Sequence, residues 1–483
     1  MKLFALPLTL LAFFAGIATL QAQPTGWHNG GGNPERNGYM NVAGPTTDSV
    51  LWEVSASGAF GSPLFIEGNY VVTMRFVSST YAPVECYSLA NGSLLWSVDV
   101  TNLTGRSHTV GLRDGRVFVV GYTDTFQDSL YALDVTNGSK LWTFNKTVAP
   151  YLSETAVFDA AGNLYIYGNF KTYKINPANG QMIWQTPTVP MASGSGEMAV
   201  NPTNNTGYTL EQSGGISFLW AIDLATGAKK YSHKVADLQP GGNVPQSGLM
   251  VGFSGVVYVQ LTEDNVAAFF DNGDKFTPQF QRPITGNSAF SLMCNGADGT
   301  IYAPSNGKII RINPLTGSVL NTSPTISQGG FFSPRLSASN NNMIYATNGE
   351  NFVYAFDLNL NLLWSDFLPN NNTSGFCLAP NGVGIVSGTN KIRAYTPVNT
   401  VSTNEPEAWA LALYPNPTTD FAVLSGNDAL DGKTCTLTDL AGRIIKTDRL
   451  QAGANPLDLT ALPPGLYLMK ISGMNSALKL VKQ

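Results

Sequence analysis

The stretch ALDVTNGSKLW, Ala132 to Trp142, decides how the chain folds, because it recurs. It returns as AIDLATGAKKY from Ala221 to Tyr231, and in weaker form along most of the sequence. The aromatic residue closing each copy marks the period. Trp52, Trp96, Trp142, Trp184 and Tyr231 stand 44, 46, 42 and 47 residues apart, and Phe276, Asn321 and Trp364 continue the series at 45, 45 and 43. The turn glycine keeps step at Gly92, Gly138, Gly180, Gly227, Gly273 and Gly317. Periods of this size belong to propellers or solenoids.

The content of each period selects the propeller. An alternating strand precedes the glycine, as in SLYALDV (129–135), and a second strand follows it, as in KLWTF (140–144). Earlier in each unit lies a hairpin with turn residues between two apolar runs, as in TAVFDAAGNLYIYG (155–168). That makes four strands per unit and no helical period, so the fold class is all-β. Third and fourth strands each number eight, but out of step. SVLWEV (Ser49–Val54) is a fourth strand without a third, and KIRAYTP (Lys391–Pro397) a third without a fourth. The two are expected to pair and close an eight-bladed ring, which leaves only short protected edges.

Composition agrees. Of 483 residues, 49 are Gly and only 12% are charged, which suits β-structure with many turns. A net charge of −5 without a basic stripe argues against nucleic-acid binding. Lys2, the apolar run Leu3–Ile17 and LQAQ, with cleavage after Ala22, read as a signal peptide over 1–22. That run is short for a membrane span, and no second one follows, so the expectation is an exported chain with no transmembrane span after cleavage. Cys86, Cys294, Cys377 and Cys435 are widely spaced and form no CxxC. They read as buried or free thiols, or as one long-range bridge, and their spacing does not suit zinc. His28, His108 and His233 lie outside any HExxH pattern, and no GxSxG elbow occurs. No catalytic, cofactor-binding or metal-binding residue is assigned.

The pattern Ala-x-Asp-x-x-(Thr/Asn)-Gly-x-x-x-Trp resembles the tryptophan-docking motif of eight-bladed propellers related to the pyrroloquinoline-quinone (PQQ) dehydrogenases. It is complete at Ala132, Asp134, Gly138 and Trp142, and complete but for Tyr231 at Ala221, Asp223 and Gly227. Trp96, Trp184 and Trp364 are further copies of its aromatic, and GWHNGGGNPERNGY (Gly26–Tyr39) resembles the family's lead-in. The propeller is expected over 23–397. The resemblance implies that each Trp packs flat against the glycine turn of a neighbouring blade, while the Asp accepts hydrogen bonds from turn amides. The dehydrogenases also use a disulfide of adjacent cysteines, a calcium ion and an Asp base, and none of these aligns here. FDNGDKF (Phe270–Phe276) reads as a turn rather than a calcium loop. No cofactor is expected. PQQ and calcium belong to the alternative reading, a quinoprotein-like oxidoreductase. A related propeller without enzyme chemistry is the accessory lipoprotein of the outer-membrane β-barrel assembly machine, a scaffold that presents loops.

On that pattern the connections into each first strand are the binding surface, being long for their place. Arg106, His108, Tyr151, Arg282, Phe331 and Phe332 are the candidate contacts to an unidentified surface protein or glycan. Phe331 and Phe332 either stack on a ligand or begin an inner strand.

Residues 398–410 read as a linker, and LALYPNPTTDFAVLSG opens a small β-sandwich over 411–483. This segment resembles the type A sorting domain of the type IX secretion system of Bacteroidota. The matching residues are Tyr414, Pro415, Asn416 and Pro417 in YPNPTTD, Gly442 in DLAGR, Gly465 and Tyr467 in LPPGLYLMKI, and Lys482 in LKLVKQ. The resemblance implies export to the periplasm and recognition by the outer-membrane translocon. Cleavage and attachment at the surface, or release, would follow. The whole chain then reads as a secreted or cell-surface, non-catalytic binding scaffold.

Overall fold

The computed structural model describes residues 25–398 and 412–483, except 61–63, 79–80, 101–104, 124–128, 145, 149–155, 169–170, 188–197, 214–215, 238–247, 262–264, 285–291, 327–334, 349, 369–374, 415–417, 427–429, 440–442 and 473–476. The expected signal peptide lies outside these residues. The chain divides into two units, Met1–Val398 and Asn399–Gln483.

Eight antiparallel-based sheets make up the described part of the first unit. Seven are built on a meander of four strands in sequence order. The fourth sheet, for instance, runs Met198–Asn201, Thr206–Ser213, Ile216–Asp223 and Lys229–Asp237. Numbered in chain order, the sheets cover 65–98, 105–144, 157–185, 198–237, 249–283, 294–322, 336–367 and 376–395. The eighth lacks a fourth strand of its own. Val50–Ser55 supplies it, pairing antiparallel with Lys391–Tyr395 from Val50 opposite Tyr395 to Ser55 opposite Lys391.

Second strands are buried on both faces, as in Leu164–Gly168, because each sheet packs a neighbour on either side. The apolar clusters record those neighbours. Val72, Cys86 and Trp96 of the first sheet meet Val117, Val119 and Leu133 of the second. Sheets two and three share Phe118, Phe144, Phe158 and Ile166, and the pattern repeats along the chain. One cluster joins Tyr345 and Trp364 of the seventh sheet, Phe376 and Tyr395 of the eighth, and Ile66 and Tyr87 of the first.

The segment after Thr25 ties the sheets together. Gly26 and Trp27 pair with Glu67 and Ile66 in the first sheet. His28 O accepts from Leu112 N (3.2 Å) in the second, and the His28 ring lies edge-on to Phe158 of the third. Pro34 O accepts from Val200 N (2.9 Å) in the fourth, Glu35 O from Val251 N (2.8 Å) in the fifth and Asn37 O from Asn295 N (2.8 Å) in the sixth. Tyr39 and Met40 pair in parallel with Ala338 and Ser339 of the seventh. The chain then enters the eighth sheet as Val50–Ser55. One short segment thus visits the first seven sheets in their own order before joining the eighth.

The second unit has two sheets. One contains Ala412–Tyr414, Phe421–Gly426 and Gly453–Asp458. The other runs, in spatial order, Ile444–Arg449, Thr434–Thr438, Gly465–Ile471 and Ala477–Lys482. Leu424, Leu437, Leu457, Met469, Ile471 and Leu480 form its own core.

Candidate functional site

Each turn that begins at the motif's Asp folds back on itself. Asp134 Oδ1 accepts from Thr136 N (2.7 Å) and Thr136 Oγ1 (2.5 Å), while Gly138 N donates to Asp134 O (2.8 Å). Asp223 accepts from Ala225 N and Thr226 N at 2.8 and 3.0 Å. Bonds of this kind favour the charged carboxylate, and both carboxyls sit below their usual range, Asp134 chiefly through the Thr136 hydroxyl and Asp223 through the Thr226 amide. The glycine that follows needs positive φ, +73° at Gly138, and has no room for a side chain. A Cβ there would lie 2.8 Å from Trp96 Cε3, a ring of the preceding sheet.

The same lock recurs. Gly92 meets Trp52, Gly180 meets Trp142 and Gly227 meets Trp184, each at 2.6 Å from an added Cβ. The indole N–H completes the contact. It donates to Leu89 O from Trp52 (2.8 Å), to Val135 O from Trp96 (2.8 Å), to Pro177 O from Trp142 (2.9 Å) and to Leu224 O from Trp184 (3.1 Å). A register shift beside the docking position occurs in all eight sheets, where seven carry an aromatic and the sixth carries Asn321. Such a bulge re-aims a side chain, here into the next sheet. It also leaves the two preceding residues, such as Leu94 and Leu95, facing water.

Two copies depart from the series. Phe276 was expected to dock from the fifth sheet, but Phe280 does so. Phe280 sits opposite Ala268, as Trp142 sits opposite Ala132, and an added Cβ on Gly317 would meet its ring at 2.4 Å. In the fifth sheet the paired strands run on past the bulge to Asp271 opposite Phe276, so counting from Gly273 stops short. At the preceding junction Tyr231 replaces Trp and reaches a carboxylate instead. Asp271 accepts from the hydroxyls of Tyr231 and Tyr208, the latter at 2.7 Å, and from Gly273 N at 2.8 Å. Trp364 has no partner for its indole N–H among the described residues, because the eighth sheet's third strand leads out of the unit rather than into a glycine turn.

A second set of pegs carries no motif that the sequence reading used. Tyr258 OH donates to Pro314 O (3.3 Å), Tyr302 OH to Leu358 O (2.6 Å) and Tyr345 OH to Pro45 O (2.9 Å), each from a second strand to the next sheet. The signal was present as an apolar-Tyr pair at the same place in successive units, as in VVYVQ and TIYAP.

The candidate ligand contacts do not converge. Arg282 lies in the strand Phe276–Pro283 rather than in a loop, and its Nε donates to Gly317 O at 2.6 Å, which makes it part of the docking joint. Arg106 and His108 also lie within a strand, Gly105–Arg113, opposite Tyr122 and Val120. The half-buried His108 ring stands edge-on to Phe76. Tyr151, Phe331 and Phe332 lie outside the described residues.

Two further features stand out. The first is the lacing segment. The lacing segment bonds Val200, Val251 and Asn295 at the far ends of their first strands, beside the turns into the second strands. It therefore runs along the turn ends of those first strands. Its side chains are buried and tightly held. His28 Nδ1 donates to Leu112 O (2.6 Å), so Nε2 accepts from Thr25 Oγ1 (2.8 Å), and burial pushes the ring's pKa down. Burial raises the Glu35 carboxyl. The second feature is a cleft of about 330 Å³ between the fourth strands of sheets four and five, lined by His233, Lys234, Phe269, Gln279, Phe280 and Gln281.

The donor set does not fit the quinone site that the resemblance implies. Cys86, Cys294, Cys377 and Cys435 are buried thiols, none in a disulfide, on four different sheets. Burial pushes Cys86 up to about 12 and Cys435 to about 11. Among the described residues no three His, Cys, Asp or Glu side chains gather as a metal site would require.

In the second unit, Thr418 joins the two ends of the domain. Its N–H donates to Val481 O (2.9 Å), and its carbonyl accepts from Gln483 N (2.8 Å). The buried Lys482 Nζ lies 3.6 Å from Asp420. Tyr467 OH donates to Pro463 O (2.7 Å), which pins the prolines before Gly465. Tyr414 is in the strand Ala412–Tyr414, opposite Val423. Pro415, Asn416, Pro417 and Gly442 lie outside the described residues.

Comparison with known proteins agrees with both units. Residues 36–210 match the family described as outer membrane protein assembly factor BamB, and residues 412–483 match the secretion system C-terminal sorting domain. No curated protein matches the sequence. Among solved structures, BamB from Moraxella catarrhalis is similar at 14% identity with a TM-score of 0.50, over 71% of this chain and 99% of that one. Quinohemoprotein alcohol dehydrogenase from Comamonas testosteroni is similar at 12% identity and TM-score 0.58, over 77% and 80% of the two chains. A second such enzyme, from Pseudomonas putida HK5, gives 12% and 0.56 over 82% and 83%. At these identities the structural likeness bears on the fold alone. The chain thus has a β-propeller fold with BamB-like repeats matched over residues 36–210, and a secretion-system sorting domain at 412–483 that supports export to the cell surface or secretion.

Proposed function

We propose that this protein is an exported, non-catalytic scaffold, an eight-bladed ring that binds a surface protein or glycan through the connections entering its first strands. The observation that carries this reading is the lacing segment. It touches the sheets in order and ends as the fourth strand of the eighth sheet. Ring closure is supported by the eighth sheet packing against both the seventh and the first. At the joint, Glu53 binds Lys391 Nζ (2.6 Å) and Arg393 Nε (2.7 Å), and Arg393 Nη1 reaches Asp366 at 2.5 Å. A ring fixed in this way presents one face of loops on a rigid base, which is what binding without a large ordering cost requires.

The route is type IX export in a Bacteroidota host, with a type A sorting domain. The translocon is its partner there, and no nucleic acid is involved. No cofactor is needed, and the scattered buried cysteines support that view. The test is to purify the mature chain and screen it against glycan arrays and by crosslinking on intact cells. Saturable binding that survives Cys→Ser replacement supports the scaffold. Turnover of alcohols or aldoses with PQQ, calcium and an electron acceptor would overturn it.

A further inference from the structure

We infer that the outer face of the sorting domain's four-stranded sheet is the surface gripped by the export machinery, through a protein face with an apolar centre and a carboxylate rim. The inference rests on reading residues 412–483 as a sorting domain. Alternation along Gly465–Ile471 sends Tyr467, Met469 and Ile471 inward, where they are buried, and Leu466 and Leu468 outward. Cross-strand neighbours share a face. Leu466 is opposite Val481, Leu468 is opposite both Lys479 and Thr438, and Thr438 is opposite Ile444. The result is an apolar row, with Leu466 37%, Val481 36% and Ile444 68% exposed.

The rest of the face is basic. Lys470 is opposite Ala477 and Thr436, and Arg449 is opposite Thr434. Among the described residues no carboxylate shares this register. Exposed aliphatic rows on so small a sheet favour burial against a partner, and the domain's own core is already complete on the inner face. The face is built from LPPGLYLMKI and LKLVKQ, two of the segments that mark the domain as a sorting signal. The third, YPNPTTD, is fastened to the last strand through Thr418, which holds that strand in place.

The test uses the full chain in a type IX-competent cell, scoring protease-accessible protein on intact cells against protein retained in the periplasm. Leu466→Ser with Val481→Ser, and separately Lys470→Glu with Lys479→Glu, should each lower surface delivery about tenfold or more, with the melting curve of the purified chain unchanged. Phe421→Ser, which alters an exposed residue of the other sheet, should be delivered normally. If the serine pair lowers the melting temperature, the charge-reversed pair decides. Delivery of the charge-reversed pair at the wild-type level overturns the inference, as does equal loss with Phe421→Ser. A chain lacking 412–483 runs alongside. If it too reaches the surface, the sorting reading fails, and not merely this face of it.

Discussion

Replacing Gly138 with Ala asks whether the turn glycine is there for its backbone or for the ring above it. Two costs are expected. The first is conformational, since φ is +73°, which costs an L-residue about 1–2 kcal/mol. The second is steric. The new methyl would lie 2.7 Å from Val98 Cγ2 and 2.8 Å from Trp96 Cε3, and moving that packed pair costs about 1–3 kcal/mol. Gly273 separates the two costs. Its φ is +89°, yet an added Cβ meets nothing within 4 Å, because Tyr231 at that junction reaches Asp271 instead of covering the glycine. Gly273→Ala should therefore cost about 1–2 kcal/mol, and Gly138→Ala about 2–5 kcal/mol. Urea denaturation followed by circular dichroism measures both. In a background carrying both Trp96→Ala and Val98→Ala, which removes both contacts, the cost of Gly138→Ala should fall to that of Gly273→Ala. Equal costs in the parent chain would refute the claim that the turn is shaped by the neighbouring sheet.

Three further outcomes follow from the same contacts. Trp96→Phe loses the bond to Val135 O and should destabilise by about 1 kcal/mol more than Trp364→Phe, whose indole N–H has no described partner; thermal melts of the two compare them. At the proposed closure, burial raises the Glu53 carboxyl, but its bonds to Lys391 and Arg393 outweigh that and leave it below the usual range. Its stabilisation is present above the unfolded value and is lost as pH falls below it, so the melting gap between wild type and Glu53→Gln should narrow on acidification from neutral pH through about 4. Removing residues 25–42 takes away the lacing segment. The remaining propeller should then show no cooperative melt by differential scanning calorimetry, and wild-type melting would contradict the role given to that segment.

The sequence made the repeat legible because docking needs an aromatic, a glycine and a turn acceptor at fixed spacing. The spacing failed where the paired hairpin runs further past the bulge, which is why Phe280 and not Phe276 holds the fifth junction. The lacing segment was harder to read. Its contacts are single backbone carbonyls, as at Pro34, Glu35 and Asn37, and a carbonyl imposes no residue type. Arg282 looked like a loop cation because its Gly317 partner lies 35 positions away. The second-strand tyrosines were visible, but an apolar-Tyr pair is also what any buried strand looks like, and only the neighbouring sheet shows where each hydroxyl goes.

On the proposed function, the propeller is cargo carried outward by residues 412–483. The direct measurement is the location of the chain, by protease accessibility on intact type IX-competent cells, with and without that segment. The full chain should be found at the surface or in the medium, and the truncated chain should remain in the periplasm with its propeller folded. Equal delivery of the two would contradict the claim.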